Sequence, residues 1–168
     1  MPSTLETSLP HGRVRFATQA DVPLLLELIG ELAEFEKLAS EAVATAEGLR
    51  ASMFGQRPYA EALIAELDDR PVGFALFFHS FSTFLGAPGL SLEDLFVRPE
   101  ARGRGVGRAL MSVLARLTLE RGCRRFEWSV LDWNSAALDF YGALGAVPMS
   151  EWTVQRLTGP ALERLAAL

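Results

Sequence analysis

A chain of 168 residues, 49% hydrophobic and 22% charged, can bury a sizeable core and needs no second domain, while a net charge of −5 argues against nucleic acid, whose counterion-releasing contacts require a basic face. The single cysteine, Cys123, and only two histidines, His11 and His79, exclude an intrachain disulfide and offer no cluster of metal ligands. The N-terminus has neither a basic start nor a long apolar segment, and no apolar run approaches the length of a bilayer span, so a cytoplasmic protein without membrane or metal partners is expected.

In chain order, residues 1–12 read as a mobile tail and residues 13–16 as a first strand. Thr18 with Asp21 three positions later resembles a helix cap, and Leu25, Leu28, Ile29, Leu32 and Phe35 share one helical face, which predicts a helix to about Leu38. A shorter helix is predicted over 40–54, broken at Gly55 and Pro58. Apolar runs at 62–67 and 72–80 flank Asp68-Asp69-Arg70-Pro71 and predict a hairpin, and Pro88-Gly89 marks a loop before a strand at 90–97.

Val106, Leu110, Val113, Leu114 and Leu117 then form a stripe that lays a helix against a sheet, ending near Gly122. A strand is expected over 124–131. Asn134 caps a helix running to about Leu144, with Gly142 and Gly145 as stop signals. A last strand near 152–157 and a terminal helix opened by Gly159-Pro160 complete an α+β fold, a mixed sheet with helices on both faces, in which 13–168 is a single domain.

The run Arg102-Gly103-Arg104-Gly105-Val106-Gly107-Arg108 links the strand at 92–97 to that central helix. Alternating glycines remove Cβ atoms that would hold a ligand off the main chain, and they admit the positive φ that turns successive N–H groups into one concavity. The following helix adds its unpaired first N–H groups and the positive end of its dipole. Arg102, Arg104 and Arg108 add charge on the rim. The segment therefore reads as a phosphate cradle. It is not a Walker A loop, since Arg108 and Ala109 stand where lysine and a hydroxyl are needed, and Arg108 occupies the position of the third glycine of a dinucleotide fingerprint.

The spacing of Arg102, Gly105 and Gly107 resembles the acyl-CoA pyrophosphate loop of the GNAT acetyltransferase superfamily. The resemblance continues in Leu92-Glu93-Asp94-Leu95-Phe96-Val97, in Asp132-Trp133-Asn134 and in Ala137-Leu138-Asp139-Phe140-Tyr141, and it covers roughly Arg13 to Ala166. Glu31-Leu32-Ala33 with Phe35-Glu36 is similar to the diamine (spermidine/spermine) acetyltransferase branch. The resemblance implies a mostly antiparallel GNAT-like sheet, acetyl-CoA as acyl donor, a small-molecule amine as acceptor, and a homodimer.

It also implies roles for individual residues. The main chain of Leu95, Phe96 and Val97 would bind the pantetheine arm, residues Arg102, Gly103, Arg104, Gly105, Val106, Gly107 and Arg108 the pyrophosphate, and Asn134 an amide of the coenzyme. Tyr141, matching the family's tyrosine by position, would also contact the coenzyme and protonate the departing thiolate, since a neutral phenol donates without first ionising. Glu93 would accept the proton an amine must lose. Asp94 points to the opposite face of a regular strand, unless a bulge intervenes, and Glu36 would bind a distal ammonium. Phe35 and Phe84, which with Glu36, Glu93 and Asp94 would line the amine pocket and could hold an alkylammonium by cation–π attraction, stand where the branch has tyrosine and tryptophan, which leaves the acceptor open among polyamines, diamines and thialysine-like amines. A peptide or protein lysine or N-terminal acetyltransferase, and a non-catalytic acyl-CoA sensor, are the alternatives.

Overall fold

The structure, a computed structural model, describes residues 4–5 and 7–168, so part of the expected tail lies outside the described residues. Within that stretch, Thr4–Leu5 forms strand β1 against β2 (Gly12–Phe16), and Leu9 is buried. The chain forms two compact units, one ending at Ser129 and one spanning Val130–Leu168.

The first unit contains a six-stranded sheet whose order follows the chain: β1, β2, β3 (Glu61–Leu67), β4 (Arg70–Ser82), β5 (Ala87–Val97) and β6 (Phe126–Trp128). Neighbours are antiparallel except β5 and β6. Connection length explains the difference. Asp68 and Asp69, both left-handed at φ 49° and 59°, turn β3 directly into β4, whereas helix α3 (Val106–Glu120) returns the chain across the sheet so that β6 runs parallel to β5. Pro88 and Gly89, expected in a loop, lie inside β5 opposite Phe81 and Ser80. The expected strand at 124–131 is confined to Phe126–Trp128.

Helices cover both faces. Leu25, Leu28 and Leu32 of α1 (Val22–Phe35) and Met53 of α2 (Ala46–Phe54) pack on Ala62, Ile64, Phe74 and Phe96. Strand alternation sends Leu63, Ala65 and Ala75 to the other face, where α3 buries Val106, Leu110, Val113, Leu114 and Leu117 against β2 to β5. Each of the large apolar side chains among these contributes about 1.5–3 kcal/mol of burial, and each alanine less.

Two devices fix α1. At its start, the Asp21 carboxylate accepts bonds from the Thr18 amide and hydroxyl at 2.7 and 2.9 Å and from both terminal nitrogens of Arg15 at 2.8 Å. Arg15 also donates Nε to the buried Glu66 at 2.8 Å, tying the helix start to the sheet. At its end, the Leu38 amide bonds to the Ala33 carbonyl and the Lys37 amide to the Glu34 carbonyl, with Lys37 left-handed at φ 60°. This is a Schellman motif, and it stops the helix at Phe35, short of the expected Leu38.

The second unit contains α4 (Ser135–Ala143) and α5 (Gly159–Ala166) and no strand. The strand expected at 152–157 is therefore absent: a strand needs a neighbour for its ladder, and residues 130–168 offer none.

Candidate active site

Strand β5 ends in an unusual way. Its pairing with β6 stops at Leu92 opposite Trp128, yet β5 continues five residues further, with β4 alone as strand partner. Among the described residues, the main chain of 93–97 thus has a strand neighbour on one side only, as required for an edge that accepts an amide-rich ligand. At the same place the register with β4 slips: Leu92 faces Phe77 and Asp94 faces Leu76, leaving Glu93 as the extra residue of a bulge. The bulge removes the strict alternation that would force Glu93 and Asp94 onto opposite faces.

Asp94 lies on the face covered by α1, opposite Leu76 and two residues before the core residue Phe96. Desolvation, then the charges of Glu93 and Glu36, push its carboxyl up to about 6. Glu36, the residue that closes α1, has its carboxyl raised by burial, while Glu93 is exposed. Asp94 thus feels two neighbouring carboxylates, Glu93 in the bulge and Glu36 at the helix end. Phe84 does not join them: it is 99% exposed at the tip of the β4–β5 hairpin, on the order of 20 Å along the strand from Asp94.

After Val97 the chain makes a short 3-10 turn at Pro99–Ala101 and enters the glycine run. Gly103 and Gly105 have φ of 73° and 85°, and Gly105 is the cap residue of α3. A Cβ added at Gly103 would meet nothing within 4 Å, and one at Gly105 would meet only Leu9 at 4.0 Å, so the concavity is open and only glycine keeps it so without strain. Arg104, Gly105 and Arg108 are exposed, Gly107 is partly exposed, and the buried Val106 anchors the first turn. A diphosphate fits this cradle by the chemistry of its donors, and an acyl-pantetheine fits the open edge of β5.

Two arginines near the strand end are engaged by the protein itself. Arg102 donates Nε to the Val97 carbonyl at 2.9 Å and lays its guanidinium 4.7 Å from the centre of the Phe35 ring. That carbonyl, expected to serve the coenzyme, is therefore engaged by the protein. Arg98, which sequence reasoning passed over, bonds Glu31 at 2.7–3.1 Å, Glu27, and the Pro71 carbonyl at 3.1 Å. It clamps the strand end to α1 and β4 ahead of the cradle. The signal was in α1, where Glu27 and Glu31 stand one turn apart and share one cation.

In the second unit, Asn134 caps α4 by accepting the Ala137 amide at 3.2 Å. Tyr141, partly buried on the same helix, stacks obliquely on Phe140 with centroids 5.3 Å apart. Among the described residues, no three His, Cys, Asp or Glu side chains gather as metal ligands, and no helix is long and apolar enough to cross a membrane.

Residues 28–146 match the Acetyltransferase (GNAT) family. The chain is 39% identical to the thialysine N-epsilon-acetyltransferase of Bos taurus over 91% of its length and 96% of that protein's. It is 31% identical to the L-ornithine N5-acetyltransferase of Arabidopsis thaliana, covering 99% and 95% of the two chains. Among solved structures, an integron cassette protein from the mobile metagenome of V. cholerae superposes with a TM-score of 0.79 at 26% identity, over 93% of this chain and 98% of the other. A bulged strand that outruns its neighbour, a glycine cradle at the start of the next helix, and these likenesses converge: the chain belongs to the GNAT family of acyl-CoA-dependent N-acetyltransferases.

Proposed function

We propose that the protein transfers the acetyl group of acetyl-CoA, by direct attack, to the terminal primary amine of a small amine such as thialysine, ornithine or a diamine. The observation that carries this acceptor class is the carboxylate group of Glu93, Asp94 and Glu36 beside the unpaired edge of β5. A small amine with a second cationic centre complements that charge, and the likeness to thialysine and ornithine acetyltransferases supports the same class.

In this reading the amides from Gly103 to Gly107 and the first turn of α3 hold the pyrophosphate, while the main chain of Leu95 and Phe96 aligns the pantetheine. Bound acetyl-CoA supplies the thioester. Glu93, the exposed member of the pair, takes the proton from the arriving ammonium, directly or through water, and Asp94 and Glu36 hold the distal cation. Tyr141 delivers a proton to the leaving sulfur, and Asn134, whose side-chain oxygen caps α4, presents its amide N–H groups to the coenzyme.

Free-thiol release from acetyl-CoA with thialysine, ornithine, spermidine and lysine peptides tests the assignment. Thiol from small amines but not peptides is expected; turnover confined to peptides would replace the acceptor class. Coenzyme binding without thiol from any amine would indicate a sensor.

We further propose a homodimer in the cytoplasm, with residues 13–168 acting as one catalytic domain. Exposed apolar residues at 147–157, including Val147, Trp152 and Val154 at 76–78% exposure, support association with a second copy. Sedimentation at micromolar concentration tests it, and a monomer would remove it.

A further inference from the structure

We propose that Phe35 is a positioning residue for the coenzyme loop, acting through Arg102. The inference rests on residues 102–108 being the coenzyme cradle. Arg102 is held from three directions: its Nε by the Val97 carbonyl at 2.9 Å, its guanidinium face by the Phe35 ring at 4.7 Å, and more distantly by the Phe96 ring at 5.9 Å. Its side chain thereby closes the segment from Val97 to Arg102 into a ring around the 3-10 turn Pro99–Ala101.

That ring fixes the direction in which Gly103 and Gly105 depart, and these two residues have no side chains of their own to hold them at φ 73° and 85°. Donors already aimed at an anion bind it more tightly than donors that must be ordered on arrival. Phe35 itself is the last residue of α1, outside the run 102–108, and is 40% exposed. What it contributes is an aromatic face for a loop cation, the guanidinium of Arg102.

The test is calorimetric titration of CoA, with no acceptor required. Phe35→Leu, which keeps apolar bulk but removes the π face, should weaken CoA binding by about threefold to tenfold, and Phe35→Tyr should restore it. In an Arg102→Ala background Phe35→Leu should have no further effect, because the partner is gone. Melting temperatures report whether each variant is folded. Equal affinity of Phe35→Leu and wild type, or the same loss with and without Arg102, would overturn the role given to Phe35. Folded wild-type protein that bound no CoA would instead overturn the cradle, and this inference with it.

Discussion

Asp94→Asn should yield a more stable protein and a poorer enzyme. The Asp94 carboxyl is pushed from an ordinary 3.8 up to about 6, first by withdrawal from water and then by Glu93 and Glu36. Each tenfold change in proton affinity corresponds to about 1.36 kcal/mol, so keeping this group ionised in the native state costs at most ~3 kcal/mol at neutral pH. Its partial contact with solvent reduces the working figure to about 1–2 kcal/mol. The sign follows from proton affinity: the native carboxyl binds its proton more tightly than the unfolded chain does. The cost is therefore absent below pH 3.8, grows between 3.8 and about 6, and is complete above. An asparagine never bears it. Urea unfolding of both proteins from about pH 4 to about pH 8 should show the variant more stable at the alkaline end and its advantage shrinking towards the acid end. In parallel, kcat/KM for the acceptor should fall about tenfold or more with CoA affinity unchanged. Equal stability at neutral pH, or an advantage that persists undiminished in acid, would refute the reasoning.

Tyr141→Phe should lower kcat by roughly 10²-fold with little change in the CoA dissociation constant, measured by thiol release and calorimetry, and undiminished turnover would remove the proton-donor role. Gly105→Val places a β-branched residue at φ 85° and fills the open concavity, so CoA affinity should drop at least about tenfold; an unchanged dissociation constant in folded protein would remove the phosphate assignment. Asp21→Asn should cost about 3 kcal/mol, because it leaves Arg15, only 11% exposed, without its bidentate partner. The Asp21 carboxyl is held down at about 2, first by its bond to Arg15, so its stabilisation is present above pH 3.8 and lost as the pH falls through about 2. Melting curves at neutral and strongly acidic pH should show the two proteins converging only in acid.

The glycine cradle was legible in the sequence because a positive φ at Gly103 and Gly105 leaves few other residue choices. The hydrophobic stripes of α1 and α3 were legible for a similar reason, since burial on one face imposes a period. What stayed hidden depends on pairing at a distance. Nothing in Leu92-Glu93-Asp94 marks a bulge, which exists only in the register between β5 and β4. Glu27 and Glu31 look like a solvated helix face until Arg98, 67 positions beyond Glu31, arrives between them. The end of α1 lacks the glycine a Schellman motif usually carries, and Lys37 adopts the left-handed conformation in its place. At 152–157 the residue types of a strand were present without a second strand in the same unit, so local propensity predicted an element that the fold does not form.

The stretch of β5 beyond Leu92 has a consequence for handling the protein. A bare row of amides and carbonyls invites another chain to add itself as a strand, and the usual defences are a kink and inward or flanking charge. Here the kink is the bulge and the charge is that of Glu93 and Asp94, so the groups assigned to catalysis also act as gatekeepers against fibrous self-association. Acidification that neutralises Asp94 therefore weakens this protection, and coenzyme bound along the strand as proposed above would restore it by occupying the vulnerable flank.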